Sequence, residues 1–86
     1  MREPPHRDAG DLHVRPMTVA RVREPPGAGH VEVMFYESAR FYRLSRANPS
    51  FAASLRLLEE AAATGRQVAI GLASAESDVI VDVRGG

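Results

Sequence analysis

The pattern of apolar and polar positions divides the chain into five short strands and one helix. Between His30 and Tyr36, Val31, Val33 and Phe35 alternate with polar or larger neighbours, the two-residue period of a half-buried strand. Glu37–Arg40 then turns the chain, and Phe41–Ser45 forms the next strand. A turn closed at Glu37–Arg40 sets Tyr36 opposite Phe41 and Phe35 opposite Tyr42. One face of this hairpin then carries Val31, Val33, Phe35, Tyr42 and Leu44. The other carries His30, Glu32, Met34, Tyr36, Phe41, Arg43 and Ser45. Upstream, Met17–Glu24 alternates loosely around Val19 and Val22 and reads as a first strand. Glu24-Pro25-Pro26-Gly27-Ala28-Gly29 breaks it, most simply as a hairpin loop.

The helix has start and stop signals. Asn48 suits an N-cap and Pro49 the first helical position, where a missing N–H costs nothing. Phe51, Leu55, Leu58 and Ala62 then form one apolar stripe, and Arg56, Glu59 and Glu60 lie opposite. Gly65 suits the left-handed position that ends a helix. Beyond it, Gln67–Ala73 places Val68, Ile70 and Leu72 on one face. Ser74–Glu76 turns, and Asp78–Val83 places Val79, Val81 and Val83 on one face.

The order β-β-β-α-β-β predicts an α+β domain: a small bent antiparallel sheet with one amphipathic helix, or a partly open barrel. The same element order is that of the OB-fold. The expected core is Val31, Val33, Phe35, Leu44, Phe51, Leu55, Leu58, Val68, Ile70, Leu72, Val79 and Val81. Residues 1–16, rich in proline and charge and poor in large apolar side chains, are expected to form a flexible tail. A single domain follows over 17–84, then a diglycine tail at 85–86.

Composition narrows the chemistry. All 11 basic residues among the 86 are arginine, and cysteine is absent. Lysine nucleophiles, disulfides and thiolate metal sites are therefore excluded. No apolar run is long enough to span a bilayer, and the N-terminus has no apolar signal core, which points to the cytoplasm and away from membranes. The zero net charge is a cancellation. Residues 39–66 hold five arginines against Glu59 and Glu60, while Glu76, Asp78 and Asp82 compensate nearer the C-terminus.

Three candidate sites follow. Met34, Tyr36, Phe41 and Arg43 bring apolar and aromatic side chains onto a hairpin face that would otherwise be polar. Rings beside arginine can stack on single-stranded nucleic acid, or the face can be covered by the chain's own helix or another strand, by a protein partner or by a second copy. Arg40, Arg43 and Arg46 could form an anion-binding side or be paired within the chain. The ending Val83-Arg84-Gly85-Gly86 resembles that of ubiquitin-like and sulfur-carrier proteins. That resemblance implies a C-terminal carrier whose Gly85-Gly86 end is adenylated and then conjugated or thiolated.

Catalysis is not expected. His6, His13 and His30 lack metal-ligand spacing, and Glu59 and Glu60 diverge on their helix. The candidate bases Glu37 and His30 lie at opposite ends of one strand, and Ser38 and Ser45 have no histidine at a suggestive spacing. The sequence therefore predicts a non-enzymatic module with no cofactor and no metal. Its expected partner is a protein or a second copy, since sheet edges need protection and lysine, a common edge guard, is missing.

Overall fold

Six elements follow in the predicted order: β1 (His13–Arg23), β2 (His30–Phe35), β3 (Phe41–Ser45), α1 (Phe51–Thr64), β4 (Gln67–Leu72) and β5 (Ile80–Gly85). They come from a computed structural model that describes residues 12–85. Residues 1–11 of the expected tail, His6 among them, and Gly86 of the expected diglycine tail lie outside the described residues. The strands form one antiparallel sheet in the order β3-β2-β1-β4-β5. With α1 packed against it, the domain is α+β. No described helix is long and apolar enough to cross a membrane.

β1 begins at His13, ahead of the expected Met17, so residues 13–16 belong to the sheet and not to a tail. Its first half pairs with β4, from His13 opposite Leu72 to Thr18 opposite Gln67, and its second half pairs with β2. Pro16 fits because of where its nitrogen points. The Thr18 carbonyl accepts from the Tyr36 N–H and the Thr18 N–H donates to Glu37, so Thr18 turns its backbone toward the β2 side. Two residues earlier Pro16 faces the same side, beyond the end of β2, and its missing N–H costs no ladder bond.

Two strands carry a bulge. In β1 the register slips between Val19 and Arg21, and in the β4–β5 ladder it slips at Gly71–Leu72. A bulge adds one residue to a strand and reverses its inward-facing set. Val19 and Val22, three positions apart, thus both reach the core side, and so do Ile80 and Val83. This corrects the expected core. Val79 and Val81 point outward at 41% and 40% exposure, and Ile80 takes the buried place. Met17, Val19, Tyr42, Ala61 and Val83 join the core as well.

The β1–β2 loop is a turn in which the Ala28 N–H donates to the Pro25 carbonyl at 3.2 Å. Gly27 takes φ +74° there, the position a type II turn reserves for glycine after a proline. In α1 the N-cap is Ser50, one residue past Pro49, with no side-chain cap bond. The expected cap, Asn48, instead accepts from the Ser50 N–H through Oδ1 and donates through Nδ2 to the Val81 carbonyl, tying the helix start to β5. The buried helix face is Ser54, Leu58 and Ala61, with Phe51, Leu55 and Leu57 at its margin; Ala62 is exposed. Gly65 ends the helix with φ +77°, as expected.

The sheet is open along most of its two edge strands, which meet at one place. The Arg43 N–H of β3 donates to the Asp78 carbonyl at 2.8 Å, and Arg43 lies beside Val79 in a single parallel bridge.

Candidate binding face

The pleat of the β2–β3 hairpin sorts its side chains as the alternation predicts. Val31, Val33, Phe35, Tyr42 and Leu44 are buried, and the Phe35 and Tyr42 rings meet edge to face at 5.3 Å between centroids. The register, however, is two residues from the expected one: Met34 lies opposite Phe41, Glu32 opposite Arg43 and His30 opposite Ser45. An even shift leaves every side chain on its face, which is why the two-sided reading survives. The turn is correspondingly longer. Ser38 holds it by donating its N–H to the Phe35 carbonyl and accepting from the Tyr42 hydroxyl and the Arg40 N–H.

Met34 and Phe41 are thus neighbours on the outer face, with Phe41 48% exposed. Tyr36, not paired with Phe41, follows the end of β2 and is 76% exposed, although its N–H is anchored to Thr18.

The three arginines of the predicted face are engaged within the chain. Arg40 reaches across to the β4–β5 loop and donates to the Glu76 carbonyl at 2.6 Å and the Ala75 carbonyl at 3.0 Å. Its guanidinium also sits 5.5 Å from the Tyr42 ring centroid. Arg43 pairs with the Asp78 carboxylate at 3.0 Å. Arg46 donates to the Ala28 carbonyl, pairs with Glu24 at 3.3 Å, and stacks 5.2 Å from the Phe51 ring centroid. Two arginines therefore strap the β4–β5 loop to β3, and the third straps the β1–β2 loop. Arg23 pairs with Glu32 at 3.6 Å, and His30 Nε2 lies 3.8 Å from the other Glu32 oxygen.

Between the two strapped loops lies an open cavity of about 310 Å³, lined by Gly29, His30, Arg43, Ser45 and Val79. A larger one, about 390 Å³, lies elsewhere, between the end of α1 and the strand ends at Val68 and Gly85.

The acid–base candidates are held in structural roles. Both Glu37 oxygens engage Thr18, accepting from its hydroxyl at 2.6 Å and its N–H at 2.7 Å. The hydroxyl bond first, then the backbone bond, holds the Glu37 carboxyl below the usual glutamate range. The hydrogen bond from Arg43 does the same for Asp78, with the positive charge adding to it. Among the described residues no three of His, Asp and Glu converge as a metal site would require. Gly85 is not a free tail residue: it belongs to β5 and lies opposite Val68.

Sequence reasoning missed Val79 as an exposed neighbour of Arg43, and Glu24 as the partner of Arg46. The acidic residues were visible. Nothing local assigns them to arginines 22 or 35 positions away.

No family model matches the chain, and no curated protein matches it. Among solved structures it is similar to pro-protein-glutaminase, at 21% identity and a TM-score of 0.75 over 88% of this chain. A mutant of the same proenzyme gives 20% identity and a TM-score of 0.74 over 87%. The chain spans 26% of the length of each, and at this identity the likeness is one of fold.

Proposed function

We propose that the chain is a non-enzymatic protein-binding domain, built as a partly open OB-like barrel, that docks on a folded partner through Met34, Tyr36 and Phe41. The barrel reading is supported by β1 shared between β2 and β4, by a helix between β3 and β4, and by the approach of β3 to β5 at Arg43. One observation carries the binding reading: aromatic side chains stand exposed on a face where Arg40, Arg43 and Arg46 already have partners, with Arg21 exposed beside Met34. A surface of that kind suits a protein, in which apolar anchors sit inside a polar rim. It suits a polyanion less well, because phosphate recognition needs available cations and three of the neighbouring arginines are already engaged within the chain. Gly85, paired in β5, gives no support to the carrier reading. The similar chains are pro-forms of a protein-glutaminase in which a unit of this shape is one part of a longer chain. A small domain lying against a larger folded neighbour is the setting that likeness favours.

The test is the double variant Tyr36→Ser, Phe41→Ser. Its unfolding free energy should stay within about 0.5 kcal/mol of the parent, because both side chains are exposed. Partner recovery from extract should fall at least about tenfold, or roughly 1.4 kcal/mol. Undiminished recovery would move the binding site elsewhere. In parallel, a fluorescence titration with an oligonucleotide at about 50 mM salt should show no saturable binding; binding that weakens with added salt would transfer the reading to nucleic acid.

A further inference from the structure

Among the described residues, the first half of β1 has a strand on one side only. β4 pairs with residues 13–18, while on the β2 side the ladder ends where Tyr36 and Glu37 meet Thr18. Backbone direction alternates along a strand, so Val14 and Pro16 face the same side as Thr18. The Val14 N–H and C=O and the Pro16 C=O therefore line an edge that no described strand covers. Its side chains are apolar. Val14 is 60% exposed and Pro16 is exposed. Leu12 lies over Gly71, so closely that a Cβ there would come within 3.0 Å of Leu12 Cδ1. Leu12 and Val14 share the rim of a shallow outer cavity with Ala69, Gly71, Asp82 and Arg84.

We propose that this edge pairs antiparallel with the same edge of a second copy, about a two-fold axis at Val14. The chain's own residues select that register. An axis at Pro16 would oppose two residues that both lack an N–H. An axis at Arg15 would oppose two guanidinium groups and leave Pro16 unable to return the bond from Val14. An axis at Val14 forms both N–H···O=C bonds of the Val14 pair and brings Leu12 of the second copy to the Pro16 carbonyl. The outer face then carries Leu12, Val14 and Pro16 against Pro16, Val14 and Leu12, an unbroken apolar stripe across both copies. The inner face sets His13 opposite Arg15. At the other end Glu37 closes the edge by occupying the Thr18 N–H, and a two-fold contact uses up this edge in both copies, so pairing through it stops at two. This surface is separate from the Met34–Phe41 face, and the two can be occupied together.

Sedimentation equilibrium of the full chain, up to about 1 mM, should show a mass rising toward that of two chains. Val14→Glu, which opposes like charges across the axis, should raise the dissociation constant at least about tenfold. Val14→Pro should do the same by removing the donor, and it breaks no bond among the described residues. Thermal melts identify the folded variants, and Phe41→Ser should leave the dimer intact. In the parent, exchange of the Val14 amide should slow as concentration rises. A single-chain mass throughout, a dimer indifferent to both Val14 variants, a dimer lost on Phe41→Ser, or concentration-independent exchange at Val14 would each overturn the proposal.

Discussion

The β2–β3 and β4–β5 hairpins have nearly equal strands and both feed the same core, yet one obeys its hydropathy pattern and the other does not. In β2–β3 every second residue is buried without interruption, from Val31 to Phe35 and from Tyr42 to Leu44. In β4–β5 the alternation Val79, Val81, Val83 suggests a buried row, but the bulge makes Val81 an extra residue and turns Ile80 inward. The difference teaches where a period-two reading fails. It fails where the strand spans two environments, here the β3 edge at Val79 and the helix start at Val81, and must bend between them. Apolar residues three apart, Val19 with Val22 and Ile80 with Val83, mark both bends.

Truncation within the two hairpins tests this contrast most strongly. Leu44→Ala in the regular hairpin and Ile80→Ala in the bulged one should each cost about 2–5 kcal/mol, because both side chains are fully buried. Val81→Ala should stay within about 0.5 kcal/mol by chemical denaturation. Equal losses at Ile80 and Val81 would remove the bulge from the argument. A smaller effect is expected where the hairpins are joined. Arg43→Ala removes an ion pair of two half-exposed groups, so only a small loss of stability is expected, alongside faster exchange of the amides from Asp78 to Ile80. Exchange unchanged there would mean the backbone bond alone holds the seam.

The smallest effect is one of acidity. Glu37 and Asp78 both titrate below their ordinary values in the folded chain, so each stabilises it above the unfolded-state range. That contribution fades as pH falls through the lowered values. Melting temperature against pH should show a shallow decline below about pH 4. Glu37→Gln with Asp78→Asn should flatten that decline, and a decline of unchanged slope would place its origin in other carboxylates.

The fold was legible where local chemistry decides it. Gly65 ends the helix as its position predicts, Leu58 lies on the buried helix face, and the two faces of β2–β3 separate as their alternation requires. The misreadings arose where a distant element decides. Pro16 reads as a breaker until β1 is seen to lose its β2 neighbour at that point. Asn48 reads as a cap until Val81 offers a carbonyl. The arginine run reads either as an anion site or as a set of internal pairs until the β4–β5 loop supplies two carbonyls and a carboxylate and decides for the pairs. The candidate face was half legible. Met34 and Phe41 lie on the expected side of the hairpin, though opposite each other and not with Phe41 opposite Tyr36, and the neighbouring Arg40, Arg43 and Arg46 hold the structure together.

The division of β1 between β4 and β2 also orders events in time. As the chain leaves the ribosome, β1 emerges first, and its second half can pair as soon as β2 follows. Its first half must wait through β2, β3 and α1 until Gln67–Leu72 appears. Pairings this far apart in sequence are slow to form and leave strand edges unpaired meanwhile. The first of the five described strands to be made is thus among the last of them to be completed. Pro16, set within that waiting stretch, denies a stray chain one of the donors it would need.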